Sequence, residues 1–267
     1  MLAAAAAWAT AAWPAAPQLA TNNSIGSLLQ QGGASDFSRV EILYVVPGGG
    51  PGSDGFPVWT RERSVAAVKD WRRESRCRPR RAPAPTCAFL ALSCGSLNAP
   101  SARLPDGRVL FEAMATAQYL TEEGGVPTGI VITESFSWDT VTNALALRFA
   151  VEAFSALRAA PLDLRVFISH FHAERFEANA RWALGVSPSL DGRASLAMHP
   201  VPSEAFGDPS ALATRMEHEQ RGAAVARENA KVVRTLAELH AFVLLGGHGG
   251  LWGYMHMRHS PSKGGGW

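Results

Sequence analysis

Hydrophobic residues in this chain concentrate in five short runs, and each run gives way to glycines or to polar residues. The runs read VEILYVVPGGG, CAFLALSCGS, TGIVITES, LRVFISHFH and RASLAMHPVP, and they begin at Val40, Cys87, Thr128, Leu164 and Arg193. Most are rich in β-branched residues, and the fifth is the weakest. Short runs that are apolar on both sides are typical of strands covered on both faces, as in parallel sheets.

Segments with helical periodicity separate these runs. One ends at the pair Gly124 and Gly125, which is a common C-terminal signal, and another ends at Gly185. The last begins with Asp208 as a candidate N-cap and Pro209 at the first helical position. Strands that alternate with helices predict βαβ units, and hence a three-layer, doubly wound α/β fold with a mainly parallel sheet.

The length of 267 residues and the hydrophobic content of 47% suit one sizeable core, so we expect a single α/β domain over residues 37–245. No charged side chain precedes Asp36. Residues 1–36 are interpreted as a low-complexity, disordered N-terminus, although a targeting peptide remains an alternative. Residues 246–267 form a Gly/His-rich tail whose His248, His256 and His259 match no metal-binding spacing.

The formal net charge of +2 lacks the concentrated basic character of a nucleic-acid binder, so no nucleic-acid partner is expected. The N-terminal alanine-rich stretch is too weakly apolar to predict stable membrane insertion. Cys77, Cys87 and Cys94 form no CxxC pair, and we interpret them as reduced, partly buried thiols. These features together predict a cytoplasmic protein.

Polar residues follow the first four runs at the points where the predicted strands end. In a doubly wound sheet the carboxyl ends of the strands share one edge, and ligands bind in the crevice outside them. The residues that we expect to line this crevice are Gly48 and Gly49; Ser93 and Gly95; Glu134, Ser137, Asp139, Thr140 and Asn143; and His172 and Arg175.

The glycines after the first run do not match a dinucleotide fingerprint or a P-loop. Two interpretations are open: a loop whose backbone approaches a ligand at Gly48 and Gly49, or an irregular turn. Arg61 and Arg63, near the start of the next helix, are either an anion clamp or surface residues. Ser93 is expected to bond to a ligand or to the next turn, with a nucleophilic role as the alternative.

The stretch ESFSWDTVTNA contains the most informative polar cluster. Ser137 or Asp139 is suited to cap the following helix. Two carboxylates beside a phosphate repel it, so Glu134 is expected to accept from a hydroxyl or amine, or to bind an ion. The alternative is that Glu134 only ties adjacent backbone amides. His172 is a candidate proton shuttle near neutral pH, or else a hydrogen-bonded structural histidine.

The order of these motifs resembles the YdcF/SanA/ElyC-like family, a family of domains of unknown function. The resemblance rests on the glycines after the first run, Ser-x-Gly after the second, Glu112-Ala113, GVP, ExxSxDTxxNA and FHxxR, and it spans roughly Val40 to Gly185. Asp139 stands where the family commonly has asparagine, Thr142 where a second glutamate is common, and SCGS replaces Ser-Gly-Gly.

The resemblance implies a Rossmann-like fold and a pocket lined by Glu134, Ser137, Thr140, Asn143, His172 and Arg175. It also implies S-adenosylmethionine or a polyprenyl phosphate as ligand classes. The expected function is binding of a small polar ligand that bears a phosphate, nucleotide or sulfonium group, with hydrolysis or group transfer. Glu134 and His172 would then share acid/base work, and Arg175 with Arg61 would hold an anionic group. A non-catalytic binding module is the alternative, and a divalent cation is a further candidate cofactor.

Overall fold

The structure is a computed structural model, and it describes residues 37–49, 58–77, 85–95, 109–202 and 209–245. The predictions made for residues 1–36, for Asp208 and for the tail at 246–267 lie outside the described residues.

The five hydrophobic runs all form strands of one sheet. The strands are β1 (Ile42–Pro47), β2 (Cys87–Leu92), β3 (Val131–Thr133), β4 (Leu162–Ser169) and β5 (Ala194–Val201). Their order across the sheet is β3-β2-β1-β4-β5, and every neighbouring pair is parallel. The predicted α/β fold with a Rossmann-like, three-layer architecture is therefore confirmed.

Helices connect the strands at the places where the sequence shows helical periodicity. They are α1 (Val58–Arg73), α2 (Glu112–Glu122), α3 (Thr140–Leu157), α4 (His170–Gly185), α5 (Pro209–Val232) and α6 (Leu236–Leu245). Single 3-10 turns lie at Phe37–Arg39, Ser75–Cys77, Thr128–Ile130 and Pro188–Leu190. The C-terminal helical pattern is divided between α5 and α6, because Thr235 and Glu238 form reciprocal hydrogen bonds that begin a new helix.

Both faces of the sheet are buried, as the uninterrupted apolar runs predict. On one face, Tyr44 and Phe89 stack at 4.9 Å between ring centroids and pack with Val68 of α1 and Leu120 of α2. The strand residues that alternate with them, among them Leu43, Val45 and Leu90, face the opposite side. There they share a core with Val151 of α3 and Phe176 of α4. The alternation of strand side chains thus places α1 and α2 in one layer and α3 and α4 in another.

Helices α5 and α6 add an outer layer on α3 and α4. The Trp182 indole of α4 donates a hydrogen bond to the Val233 carbonyl and packs edge-on against Phe242 of α6. Most of α5 is exposed, and its buried residues are Glu219, Ala223 and Ala226. A glutamate is therefore one of the positions through which α5 contacts the rest of the domain.

The chain reverses direction across the sheet between β1 and β4, which are neighbours although β2 and β3 come between them in the sequence. At such a switch point the connections from the two strands leave on opposite faces, and a crevice opens outside the carboxyl ends. Gly48 follows β1 here, and Ser169 ends β4 at the first turn of α4.

A disulfide joins Cys77 to Cys87, and of the cysteines described, Cys94 is buried and free. The interpretation of all three as reduced thiols is therefore wrong for two of them. The turn after α1 brings Cys77 to the start of β2, with 5.3 Å between the two Cα atoms, and no short-range cysteine motif encodes this approach. Reduced cysteines were one ground for predicting a cytoplasmic protein, and the disulfide removes that ground.

Within the described ranges, no helix combines the length and the apolar character that crossing a membrane requires.

Replacing both Cys77 and Cys87 with serine is expected to lower the free energy of unfolding by about 2–3 kcal/mol, because the cross-link restricts the unfolded chain. Chemical denaturation with and without a reductant measures the effect. The reductant should destabilise the wild type and leave the double variant unchanged. Equal sensitivity of both proteins to the reductant would contradict the assignment of this bond.

Candidate functional site

Gly48 and Gly49, which follow β1, pack closely enough against neighbouring residues to leave no room for side chains. Gly48 donates its amide to the Leu92 carbonyl at 2.9 Å, and the Trp59 indole donates to the Gly49 carbonyl at 2.7 Å. A Cβ at Gly48 would meet the Glu112 carboxylate and would lie 2.6 Å from the Ser93 Cβ. Two glycines are needed here because β2, α1 and α2 all approach the end of β1.

Arg63 is fully buried at the switch point, where its guanidinium connects β1 to β4. One terminal nitrogen donates to the Pro47 and Gly48 carbonyls, at 2.9 and 3.2 Å. The other terminal nitrogen and Nε donate to Ser169 Oγ, at 2.8 and 3.0 Å. Burial lowers the pKa of Arg63 to about 10, so the group stays protonated at neutral pH.

Arg61, which was expected to share the anion-clamp role, lies exposed on α1. Its guanidinium sits over the Tyr119 ring of α2, 5.9 Å from the centroid. Residues two apart on a helix point in different directions, so only one of the two arginines reaches the switch point. The structure puts Arg63 in that position.

Ser93 directly follows β2 and has a strained backbone conformation, with a φ of 94°. Non-glycine residues rarely adopt such a φ, and those that do are often found at functional sites. Its carbonyl accepts from the Ala113 amide at 2.8 Å, and its hydroxyl bonds with the Gly95 backbone at 3.0 and 3.2 Å. The turn at Ser93 is thus held at several points, and its hydroxyl is turned towards Gly95.

Glu134 is buried directly after β3, and the loop that follows wraps around its carboxylate. Oε1 accepts from the amides of Phe136 and Ser137 at 2.5 and 2.8 Å. Oε2 accepts from the Ser137 hydroxyl and, at 3.4 Å, from the Ser93 amide. These contacts favour the interpretation in which Glu134 ties adjacent backbone amides, because they occupy both oxygens.

Ser137 connects Glu134 to the helix that follows. Its hydroxyl lies 2.5 Å from the side-chain amide of Asn143 and also contacts Glu134. The Asn143 atom in this contact is Oδ1, and because a serine hydroxyl has one proton, it donates to either Glu134 Oε2 or Asn143 Oδ1 at a given moment. The Cys94 amide also donates to the Ser137 carbonyl at 2.8 Å, which joins the loops after β2 and β3.

Asp139 is the N-cap of α3. Its carboxylate accepts from the Thr142 amide at 2.8 Å, and the Thr142 hydroxyl accepts from the Asp139 amide at 3.0 Å. Of the two capping candidates, Ser137 and Asp139, the structure selects Asp139. This capping box satisfies the amides of Thr142 and Asp139, which gives Asp139 a structural role where ligand contact was expected.

His172 is buried in the first turn of α4 between residues from two other helices. Its Nδ1 lies 2.7 Å from Glu219 Oε2 of α5, and its Nε2 lies 3.5 Å from Thr140 Oγ1 of α3. A carboxylate accepts hydrogen bonds, so the imidazole carries its proton on Nδ1. Nε2 is then the acceptor for the Thr140 hydroxyl.

Arginines surround the buried carboxylate of Glu219. Arg215 forms an ion pair with Oε1 at 2.6 Å, and Arg175 approaches Oε2 at 3.6 Å. Burial acts to raise the pKa of Glu219, but the bond from His172 and the nearby positive charges outweigh it and lower this pKa to about 2. Burial lowers the pKa of His172, so a neutral imidazole faces an ionised carboxylate.

The expected site residues therefore form two connected groups at the carboxyl edge of the sheet. The first joins the loops after β1, β2 and β3, and it comprises Gly48, Gly49, Ser93, Gly95, Glu134, Ser137 and Asn143. The second comprises Thr140, His172 and Arg175. The capping loop between Ser137 and Thr140 links the two groups, and Arg61 lies outside both.

Glu219 is the main site residue that sequence reasoning missed. It lies 47 positions from His172 along the chain, in a helix that was predicted from its periodicity and from Asp208 and Pro209 at its start. A signal did exist: Glu219 shares an i, i+4, i+7 stripe with Ala223 and Ala226, which are the other buried positions of α5. A charged residue in the buried stripe of an exposed helix indicates a buried partner.

Comparison of the chain with protein-family models, with curated protein sequences and with solved structures gave no match. The part of the chain that the structure describes contains no group of three or more His, Cys, Asp or Glu residues arranged to hold a metal ion.

Substituting Gly48 with alanine should lower the free energy of unfolding by about 1–3 kcal/mol, because the added methyl group overlaps Glu112 and Ser93. Urea denaturation measures the change. Gly185→Ala is the matched control, since no atom lies within 4 Å of the place that its added methyl group would take, and its effect should stay within about 0.5 kcal/mol. Equal effects at the two glycines would contradict close packing at Gly48.

Acid should destabilise the protein partly through Glu219. Its folded-state pKa of about 2 lies below the ordinary 4.5, so its stabilising contribution is complete above about pH 4.5 and is lost as the pH falls towards 2. Glu219→Gln removes this contribution, so the loss of stability over that range should become smaller. Part of the loss should remain, because Arg76 also lowers the pKa of Glu74 to about 2.

Denaturation midpoints at a series of pH values give the measurement, with Glu177→Gln as the control because Glu177 pairs with Arg181 on the exposed side of α4. The control should follow the wild-type pH profile. A Glu219→Gln profile parallel to that of the wild type would show that Glu219 does not carry the effect.

Proposed function

We propose that this domain binds a small phosphate-bearing molecule at the carboxyl edge of its sheet and catalyses hydrolysis or group transfer with His172 as the acid/base residue. The observation that carries the proposal is the buried pair of His172 and Glu219, which holds a neutral imidazole with Nε2 as a proton acceptor beside the switch-point crevice.

The pair has the parts that general acid–base catalysis needs. Glu219 fixes the tautomer and the orientation of the ring through Nδ1, which leaves Nε2 to take and return a proton. An ionised carboxylate next to the ring also stabilises the imidazolium form that appears during proton transfer. A buried histidine with no such partner would support a packing role instead.

The surrounding charges suit an anionic ligand. Arg175 remains partly exposed beside His172, and the buried Arg63 keeps its positive charge at the switch point. The Glu134 carboxylate accepts hydrogen bonds from three groups of its own loop and the Ser93 amide, which offset the repulsion that a free carboxylate would exert on a phosphate. In this proposal Glu134 organises the loop, and acid/base work falls to His172.

The resemblance to the YdcF/SanA/ElyC-like family supports the same ligand classes. Its motif positions Glu134, Ser137, Thr140, Asn143, His172 and Arg175 all lie in the two connected groups at this edge. We therefore take nucleotides, polyprenyl phosphates and S-adenosylmethionine as the compounds to test, with and without magnesium.

A non-catalytic ligand-binding module is the second candidate. The observation that favours it is the full engagement of Glu134, which leaves one histidine where the sequence suggested two acid/base residues. Such a module would bind the same ligands through Arg175 and the loop backbones without breaking a bond.

Thermal denaturation with inorganic phosphate, adenosine nucleotides, a polyprenyl phosphate and S-adenosylmethionine tests for binding. A ligand at about 100 times its Kd stabilises the folded state by about 2.7 kcal/mol, which raises the Tm by several degrees. Arg175→Gln should abolish the rise. Arg181→Gln should retain it, because Arg181 lies on the same helix in an exposed pair with Glu177. If none of these compounds raises the wild-type Tm, the proposed ligand class is wrong.

Turnover separates the two candidates. If the protein is an enzyme, the wild type should release phosphate or the leaving group. His172→Gln should still bind the ligand but should no longer release either product. Binding that His172→Gln leaves intact, with no turnover by the wild type, would support the module.

A further inference from the structure

We infer that the Thr140 hydroxyl is the nucleophile of this site and that the reaction passes through a covalent ester of Thr140. The inference rests on the proposed function, since it names the group that attacks the phosphate-bearing ligand. The observation behind it is a chain of three side chains from three helices: Thr140 of α3, His172 of α4 and Glu219 of α5.

The hydrogen bonds between these three side chains run in the direction that activation of a hydroxyl requires. Thr140 Oγ1 lies 3.5 Å from His172 Nε2, and Nδ1 lies 2.7 Å from Glu219. With the proton of the neutral ring on Nδ1, Nε2 is free to receive the hydroxyl proton. A nucleophile, a base and a group that orients the base form the general arrangement for nucleophilic catalysis, and the first contact is often long before substrate binds.

The position of Thr140 on its helix favours the attack. Thr140 is the first residue of α3, an 18-residue helix whose N-cap is Asp139. The amides of Thr140 and Val141 have no acceptor within the helix, because the first amides of a helix lie before its first hydrogen-bonded turn. They are available to stabilise negative charge that develops on the oxygens of the group under attack.

Other hydroxyls at this edge have different partners. Ser93 bonds to Gly95, Ser137 bonds to Glu134, and Ser169 accepts from Arg63. Ser93 is the strongest rival because of its strained backbone, but among the described residues no hydrogen bond joins it to a histidine. Thr140 is the hydroxyl in this set that a buried imidazole contacts.

The reaction balances without a further reactant except water. Thr140 Oγ1 attacks phosphorus while its proton passes to His172 Nε2; the bond from phosphorus to the leaving oxygen breaks, and that oxygen takes the proton from His172. Water then attacks the phosphothreonine and gives a proton to His172, the bond between phosphorus and Oγ1 breaks, and the proton returns to Oγ1. The net change is hydrolysis of one phosphate ester; an acceptor alcohol in place of water gives group transfer.

An alkyl fluorophosphonate tests the inference without knowledge of the natural substrate. Attack by Thr140 forms an oxygen–phosphorus bond, breaks the phosphorus–fluorine bond and releases fluoride, with the hydroxyl proton taken by His172. Intact mass spectrometry of the full chain measures the adduct, and peptide mapping locates it. We expect one adduct, at Thr140.

Variants separate the chemistry from effects on folding. Thr140→Val keeps the shape of the side chain without the hydroxyl, and it should lower the labelling rate at least 100-fold, as should His172→Gln. Thr140→Ser restores a hydroxyl and should retain labelling, which a variant that damaged only the fold would not do. Thr214→Val is the matched control and should label at the wild-type rate, because the Thr214 hydroxyl is exposed on α5 and bonds to the Ser210 carbonyl.

The outcomes distinguish this inference from the proposed function. An adduct at Ser93 or at any residue other than Thr140, or labelling that persists in Thr140→Val, overturns the inference. An unlabelled wild type whose Tm still rises with inorganic phosphate or a nucleotide overturns the covalent step alone, because His172 would then act on water. If the wild type is not labelled and no ligand raises its Tm, both the covalent step and the proposed function are wrong.

Discussion

The buried guanidinium of Arg63 is the interaction on which the carboxyl edge of this sheet depends. A charge is tolerated inside a protein when its hydrogen bonds are made, and Arg63 makes them with the two carbonyls at the end of β1 and with Ser169 at the end of β4. Beyond Val45 and Val166, backbone pairing between these two strands ends at the switch point. Arg63 supplies a connection there, because its guanidinium bonds to the end of β1 and to the end of β4 at once.

Two of the buried carboxylates at this edge are also stabilised by their partners, in different ways. Glu134 accepts hydrogen bonds from amides and a hydroxyl of its own loop, whereas Glu219 bonds to His172 and forms an ion pair with Arg215. The first arrangement shapes a loop, whereas the second places a titratable ring between two helices. This difference is why the proposed acid/base work falls to His172 and Glu219 and not to Glu134.

The sequence predicted the architecture closely and the site only in part. Each apolar run forms a strand, because a parallel strand that is buried on both faces needs an uninterrupted apolar sequence. The alternation of strands with helices predicted the parallel sheet that the structure contains. For the site, the sequence indicated the right loops but not the right partners. It left open which of Arg61 and Arg63 points inwards, and it gave Asp139 two possible roles, which the capping box with Thr142 decides.

By itself, then, the sequence determined which segments are strands and helices, that the strands run parallel, and that His172 and Thr140 lie at one edge. The strands and helices follow from periodicities of two to four residues within single segments. The parallel sheet and its shared edge follow from the alternation of these elements along the chain. Only the tertiary structure decided that Glu219 holds His172, that Arg63 joins β1 to β4, and that Cys77 is bonded to Cys87. These contacts depend on how separate segments pack against one another, and no local spacing records that packing.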